Sequence, residues 1–310
     1  MPANLLSRLL KAPPRRRRTG REIAAEELVR RVERIAIAAR RAADSSSAGE
    51  YRAVFHGRGM EFSEVREYMP GDDVRAIDWN VTARAGAPFV KLYREERDRT
   101  LLLLLDVSAS QDFGSRLATK RDLTAEAAAA LALSAVRNRD RVGAVLFTDR
   151  IESVRRPRRG RENALAIVRE ALSRPLEGFG TDLALGLRAA EGMLKTRSIV
   201  VLVSDFRAAG WEAPLARLAR RHEVVAVAVA DPAEKDLARA GLVRLRDAET
   251  GAVSLADTAS AAFRRAWSSA ARTSASEICA REGVDFLELS SARAPARDLA
   301  AFFRSRSGRR

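Results

Sequence analysis

Asp106, Ser108 and Ser110 stand at alternate positions in the run Leu-Leu-Leu-Leu-Leu-Asp-Val-Ser-Ala-Ser, residues 101–110. In an extended or tightly turning segment alternate side chains point the same way, so one carboxylate and two hydroxyls can converge on one point. Such a point suits a hard divalent cation, Mg2+ above all, which takes oxygen ligands and keeps some of its waters. The plainer use of these residues is a helix N-cap, where Ser and Asp accept from free N–H groups. The five leucines predict a buried central strand, and the switch to small polar residues predicts a loop at its end.

Two further segments join this one. Gly178-Phe179-Gly180-Thr181-Asp182 is a glycine-rich loop that delivers Thr181 just ahead of a helical pattern, and an apolar run from Ser198 to Ser204 ends in Asp205. Together the residues resemble the metal-ion-dependent adhesion site (MIDAS) of von Willebrand factor type A domains. That resemblance implies that Asp106, Ser108, Ser110 and Thr181 surround the metal and that Asp205 acts directly or through water. The expected ion is Mg2+, with Mn2+ or Ca2+ as alternatives.

From Thr100 onward strand and helix patterns alternate. Strands are expected at Leu101–Leu105, Val142–Phe147, Ile199–Val203, Val224–Val229 and Val284–Leu289, with an edge strand at Ile151–Val154. Helices are expected at Leu117–Val136, Asn163–Leu172, Leu183–Leu194 and Pro214–Arg220, then a long one from Ala259 to about Arg281 and a short one near Asp298–Phe303. Leu242–Arg246 and Ala252–Leu255 read as a hairpin around Glu249-Thr250-Gly251. Continuous apolar strands separated by helices imply an α/β fold with a doubly wound, mostly parallel sheet covered on both faces. Ligands of such sheets bind beyond the carboxyl ends of the strands. Asp106 and Asp205 both fall there.

The organisation expected is a basic flexible tail (1–20), a helix (21–48), a small β-rich module (49–99), a type A-like domain (100–304) and a second basic tail (305–310). The module carries Phe55-His56-Gly57-Arg58-Gly59-Met60-Glu61-Phe62, Arg66-Glu67-Tyr68, Pro70-Gly71-Asp72-Asp73-Val74-Arg75, Ile77-Asp78-Trp79 and Ala83-Arg84. This stretch resembles the signature of the bacterial family called domain of unknown function 58. Relatives often carry Met where this chain has Gln111, a position expected to shape the rim. Asp72, Asp73, Arg75, Asp78 and Arg84 are expected to fix loops as carboxylate–guanidinium pairs. They are also candidates for an interaction surface. His56 reads as a turn hydrogen-bonder, and His222 as lying near a helix end, where a cation is favoured.

Bulk properties narrow the function. The chain has 310 residues, a net charge of +15 and 46% hydrophobic residues, enough for a sizeable core. Only five of its 56 basic residues are lysine, so the basicity reads as arginine-rich coding rather than a nucleic-acid signature. Arg15–Arg18 and the arginines at 155, 156, 158, 159 and 161 lack interleaved aromatics or a recognition helix, and nucleic acid is not an expected partner. One cysteine, Cys279, fits a reducing compartment and reads as a small buried hydrophobe. No run approaches the roughly 18 apolar residues of a membrane span. The N-terminal leucines precede rather than follow the arginines, the wrong order for a secretory signal. A cytoplasmic location is therefore expected, with at most a weak peripheral contact with acidic membrane.

Three function classes compete. A metal-dependent phosphohydrolase is disfavoured: strand-end aspartates of haloacid dehalogenase type have a second Asp two residues on, and here Ser108 occupies that place, useless as a general acid near neutral pH. Phosphate loops and nucleophile elbows are missing from the sequence. Nucleic-acid binding is weaker still. The expected function is a non-enzymatic, Mg2+-dependent protein-binding module that recognises a partner's carboxylate, with no small-molecule substrate. The family resemblance implies that the partner is a MoxR-type AAA+ ATPase, with the chain as adaptor for chaperone-like remodelling.

Overall fold

The protein is described by a computed structural model covering residues 33–35, 37, 60–95, 99–115, 118–173, 177–178, 180–270 and 275–307. The N-terminal tail, most of the 21–48 helix, His56 and the Gly57-Arg58-Gly59 turn lie outside the described residues.

Residues 60–95 build a small module. Strand β1 (Met60–Glu67) pairs antiparallel with β2 (Phe89–Glu95). Between them lies helix α1 (Trp79–Ala85), an element not expected in the β-rich module. Its caps explain it. The Asp78 carboxylate accepts from Asn80 N at 2.9 Å and Val81 N at 3.3 Å. Gly86, at φ 76°, ends the helix in the left-handed conformation that glycine adopts cheaply.

Strand β3 (Thr100–Asp106) leads to α2 (Lys120–Arg137), β4 (Arg141–Phe147) and β5 (Ile151–Arg158). Helices α3 (Arg161–Ser173) and α4 (Leu183–Met193) precede β6 (Ile199–Ser204), α5 (Glu212–Arg221) and β7 (Glu223–Ala230). Then come the short α6 (Pro232–Lys235) and the hairpin β8 (Leu242–Arg246)–β9 (Val253–Asp257). The chain closes with α7 (Ala261–Ala270), α8 (Ala275–Arg281), β10 (Asp285–Ser290) and α9 (Pro295–Ser307). Of the helix expected over 259–281, the stretches 261–270 and 275–281 are described and both are helical. The edge strand is longer than expected and runs antiparallel to β4.

Six strands form one sheet in the order β10-β7-β6-β3-β4-β5, with every pair except β4–β5 parallel. The five leucines of β3 divide between its faces. Leu101, Leu103 and Leu105 pack with Leu123 and Leu131 of α2, Ile167 of α3 and Leu299 of α9. Leu102 and Leu104 pack with Leu187 of α4, Leu215 of α5 and Cys279 of α8. A strand buried on both faces needs apolar residues at every position, which is why the run is unbroken. Gly186 lets α4 close on the sheet, since a Cβ there would sit 2.9 Å from the Phe147 ring. This is the doubly wound, mostly parallel α/β architecture expected.

Two side chains behave as buried groups. Burial pushes the Cys279 thiol up to about 12, so it is an inert apolar filler. His222 ends α5 as expected, but burial and then Arg221 lower its pKa. It is a neutral acceptor, taking the Ser198 N–H on Nδ1 at 3.3 Å, rather than a helix-end cation.

Candidate metal centre

The chain runs from β3 outward to β4 and β5, then returns to the other side of β3 to begin β6. The sheet's switch point therefore lies between β3 and β6, where ligands of open α/β sheets bind. Asp106 closes β3 and Asp205 follows β6, so one carboxylate flanks each side of the gap.

Asp106 is fully buried and heavily bonded. One oxygen, Oδ1, accepts from Ser108 N at 2.9 Å, and Oδ2 accepts from Ser204 Oγ at 2.6 Å and Gln111 Nε2 at 3.3 Å. Burial and then the charge of Asp205 push its pKa up to about 6. Two carboxylates so placed resist ionising together, which is the electrostatic condition that a bound cation relieves.

The serines complete a chain of oxygens. Ser108 opens a 3-10 turn (Ala109–Asp112) without making a side-chain cap bond, so its hydroxyl is not spent as an N-cap. It lies 3.1 Å from Ser110 Oγ, which donates to Asp205 Oδ2 at 3.2 Å. Phe206, at φ 56°, turns the chain sharply after Asp205. That conformation costs a non-glycine residue on the order of 1 kcal/mol. Phe206 is held by ring contacts to Trp211 and Phe286 at 5.3 and 6.1 Å.

Asp106, Ser108, Ser110 and Asp205 are thus joined in one hydrogen-bonded group. Thr181 is placed differently: its hydroxyl donates to Glu249 at the tip of the β8–β9 hairpin, at 3.0 Å. The loop that carries Thr181 is anchored by Glu152, whose Oε1 accepts from Glu177 N at 3.2 Å and Gly178 N at 2.8 Å. Glycine is required at 178 because a Cβ would fall on the side chains of Thr148 and Asp149. Among the described residues no three His, Cys, Asp or Glu gather as a metal-ligand group. The donor set is two carboxylates plus hydroxyls, a hard-oxygen set that fits Mg2+.

The sequence reading misplaced Gln111 and missed Ser204, Lys120 and Glu234. Gln111 is buried and bonded to Asp106 rather than shaping a rim. Ser204 is the nearest donor to Asp106. Lys120 is 1% exposed, and its ammonium lies 2.7 Å from Asp205 Oδ2 and 2.8 Å from Glu234 Oε1. Burial lowers the Lys120 pKa, but Asp205 and Glu234 outweigh it, and the net shift is upward. No spacing in the sequence announces pairs 85 and 114 residues apart. A lysine in an otherwise arginine-rich chain, at the head of an alanine-rich helix, was the one available signal.

Asp231 fixes the neighbouring loops. It accepts from Ser115 N and Oγ at 3.0 and 2.5 Å, Ala233 N at 2.9 Å and Ser291 Oγ at 2.6 Å, tying the loop after β3 to the ends of β7 and β10. In the small module Asp72 forms a bidentate pair with Arg66 at 2.8 and 2.7 Å. Asp73 accepts from Arg75 N at 2.9 Å, and Asp78 caps α1 and faces Lys91 at 3.5 Å. These three carboxylates fix turns, with Arg66 rather than Arg75 or Arg84 as the bidentate partner. Arg75 and Arg84 are exposed, as are Met69, Val74 and Trp79 of the same module, the last 70% exposed.

The profile of the family described as protein of unknown function DUF58 matches residues 64–277. The chain belongs to this family. Uncharacterized proteins of Mycobacterium tuberculosis and Mycobacterium bovis are each 37% identical to it over 208 residues. The matched stretch spans 66% of this DUF58 chain and 66% of each relative, slightly under two thirds of their length. Among solved structures, an aerotolerance-related membrane protein from Bacteroides fragilis is 14% identical, with TM-score 0.47 over 68% of this chain and all (100%) of that one. The VWA domain of SpRpn10 is 12% identical, with TM-score 0.37 over 65% and 93% of the two chains. Among the described residues of this DUF58 protein, no helix is long and apolar enough to cross a membrane.

Proposed function

We propose that this DUF58 protein is a Mg2+-dependent protein-binding module that recognises a partner's carboxylate and performs no turnover. The reading is carried by one observation: the carboxylates of Asp106 and Asp205 and the hydroxyls of Ser108 and Ser110 form one hydrogen-bonded group at the switch point of the sheet. Asp106, Ser108 and Ser110 would hold the ion, with Thr181 and Asp205 completing the set. Mg2+, when bound, supplies an electrophilic position open to an incoming carboxylate. Gln111 and Ser204 orient the Asp106 carboxylate from below, and the buried strand end keeps water from replacing them. Ser108, two residues after Asp106, offers no acid for phosphoryl or acyl chemistry, which favours recognition over catalysis.

The proposed partner is a MoxR-type AAA+ ATPase, with the chain as its adaptor in chaperone-like remodelling in the cytoplasm, where ATP is at hand. The family resemblance supports this choice of partner. The test is a tagged pull-down from native lysate in Mg2+ and in EDTA, read by mass spectrometry, with Asp106→Ala alongside. Capture of an AAA+ ATPase by wild type in Mg2+ alone is expected. Capture indifferent to both metal and mutation would sink the metal-gated reading and move the interface to the small module.

A further inference from the structure

We infer that Lys120 is the standing counter-ion of the candidate metal centre: it weakens Mg2+ binding and holds Asp205 back from direct ligation. The inference rests on the metal-binding reading and concerns what sets the affinity of that site.

Lysine is almost never fully buried unless paired, and Lys120 is buried with two carboxylates. Its position makes no sense for the helix. Lys120 is the first residue of α2, next to the Thr119 cap, where the helix presents its positive end and disfavours a cation. A local rule broken in this way points to a demand from elsewhere in the structure. That demand is at the other end of the side chain. Asp205 Oδ2 already accepts from both Lys120 Nζ and Ser110 Oγ, and Oδ1 accepts from Arg207 N at 3.3 Å. Direct ligation through Oδ2 would require Asp205 to surrender a charge-assisted bond in a buried setting. Asp106 and the two serines carry no such tie to a cation. Asp205 is therefore held to act through water, while Asp106, Ser108 and Ser110 form the inner set.

The same ammonium repels a divalent ion. Glu234 offsets part of that repulsion and is itself shared with Arg207, whose Nη2 lies 3.4 Å away. Affinity thus depends on a buried balance: Lys120 lowers it and Glu234 raises it. A structural ion pair would not give these opposite signs, because losing either partner of such a pair destabilises the fold without favouring the metal.

The experiment is calorimetric titration of the full chain with MgCl2 at matched ionic strength, using wild type, Lys120→Met, Glu234→Gln and the double variant. Lys120→Met is expected to bind Mg2+ about tenfold tighter or more, and Glu234→Gln about tenfold weaker, the scale of one charge removed near a buried ion. The double variant removes one charge of each sign, leaves the local charge unchanged, and is expected to return close to wild type. In EDTA, Lys120→Met melts lower than wild type. If Lys120→Met does not fold, Glu234→Gln carries the test, and unchanged affinity there overturns the inference. Equal or weaker Mg2+ binding by a folded Lys120→Met also overturns it, with the metal-binding reading left standing. Wild type silent to Mg2+ beside a responsive Lys120→Met supports the inference in its strongest form. Silence of both ends the metal-binding reading and this inference together.

Discussion

At the scale of single residues, Asp106 is costly to the fold that holds it. Burial and the neighbouring Asp205 raise its pKa from 3.8 to about 6. The folded chain therefore binds that proton more tightly than the unfolded chain does. The stabilisation this gives is full below the unfolded value near 4 and is lost as pH rises through about 6. At neutral pH the metal-free protein carries the strain of the ionised pair. Asp106→Asn keeps an acceptor for Ser108 N and removes the charge. In EDTA at pH 7.5 it is expected to be more stable than wild type by about 1 kcal/mol, a gain that shrinks as pH falls through 6 and is gone by about pH 3.5. Urea denaturation midpoints of the two proteins at both pH values check this. A loss of stability at pH 7.5 would show that the three hydrogen bonds to Asp106 outweigh the repulsion.

Between elements, the β8–β9 hairpin reaches the loop that carries Thr181. Leu242, Val253 and Leu255 are exposed along its strands, while Asp247 accepts from Glu249 N, Thr250 N and Thr250 Oγ1 and so stiffens the tip. That tip presents Glu249 to Thr181. Glu249→Ala frees the Thr181 hydroxyl for the metal, and Mg2+ affinity is expected to rise several-fold by calorimetry. Unchanged affinity would leave Thr181 outside the site. The elements themselves were legible where one physical demand dominates: Leu101–Leu105 is apolar at every position because both sheet faces are covered. Helix α1 was missed because Val81 and Thr82 are poor helix formers, and its caps, Asp78 and Gly86, decide it. Asp106, Ser108, Ser110 and Asp205 could be read because each sits at a strand end. Lys120, Ser204 and Glu234 could not, since only the folded sheet brings residues so far apart in sequence into one polar cluster.

For the whole molecule, the centre joins the two middle strands of the sheet to α2 and α6 through side chains alone. A ligand that binds only this assembled arrangement stabilises the entire fold, because the unfolded chain scatters its donors. At a Mg2+ concentration 100 times the dissociation constant, the stabilisation is about 2.7 kcal/mol. For a unit of some 200 residues this raises Tm by about 5 °C or more. The net charge of +15 supplies a competing cause, since any salt screens self-repulsion and raises Tm without a site. The two causes separate by design. NaCl at the ionic strength of the MgCl2 sample gives the screening effect, and the excess with Mg2+ is the site's own. That excess is expected in wild type, reversed by EDTA, and lost in Asp106→Ala, whose net charge is one unit more positive and whose screening response is if anything larger. A melting curve that moves equally in NaCl and MgCl2 would assign the stabilisation to screening and leave the centre without a metal.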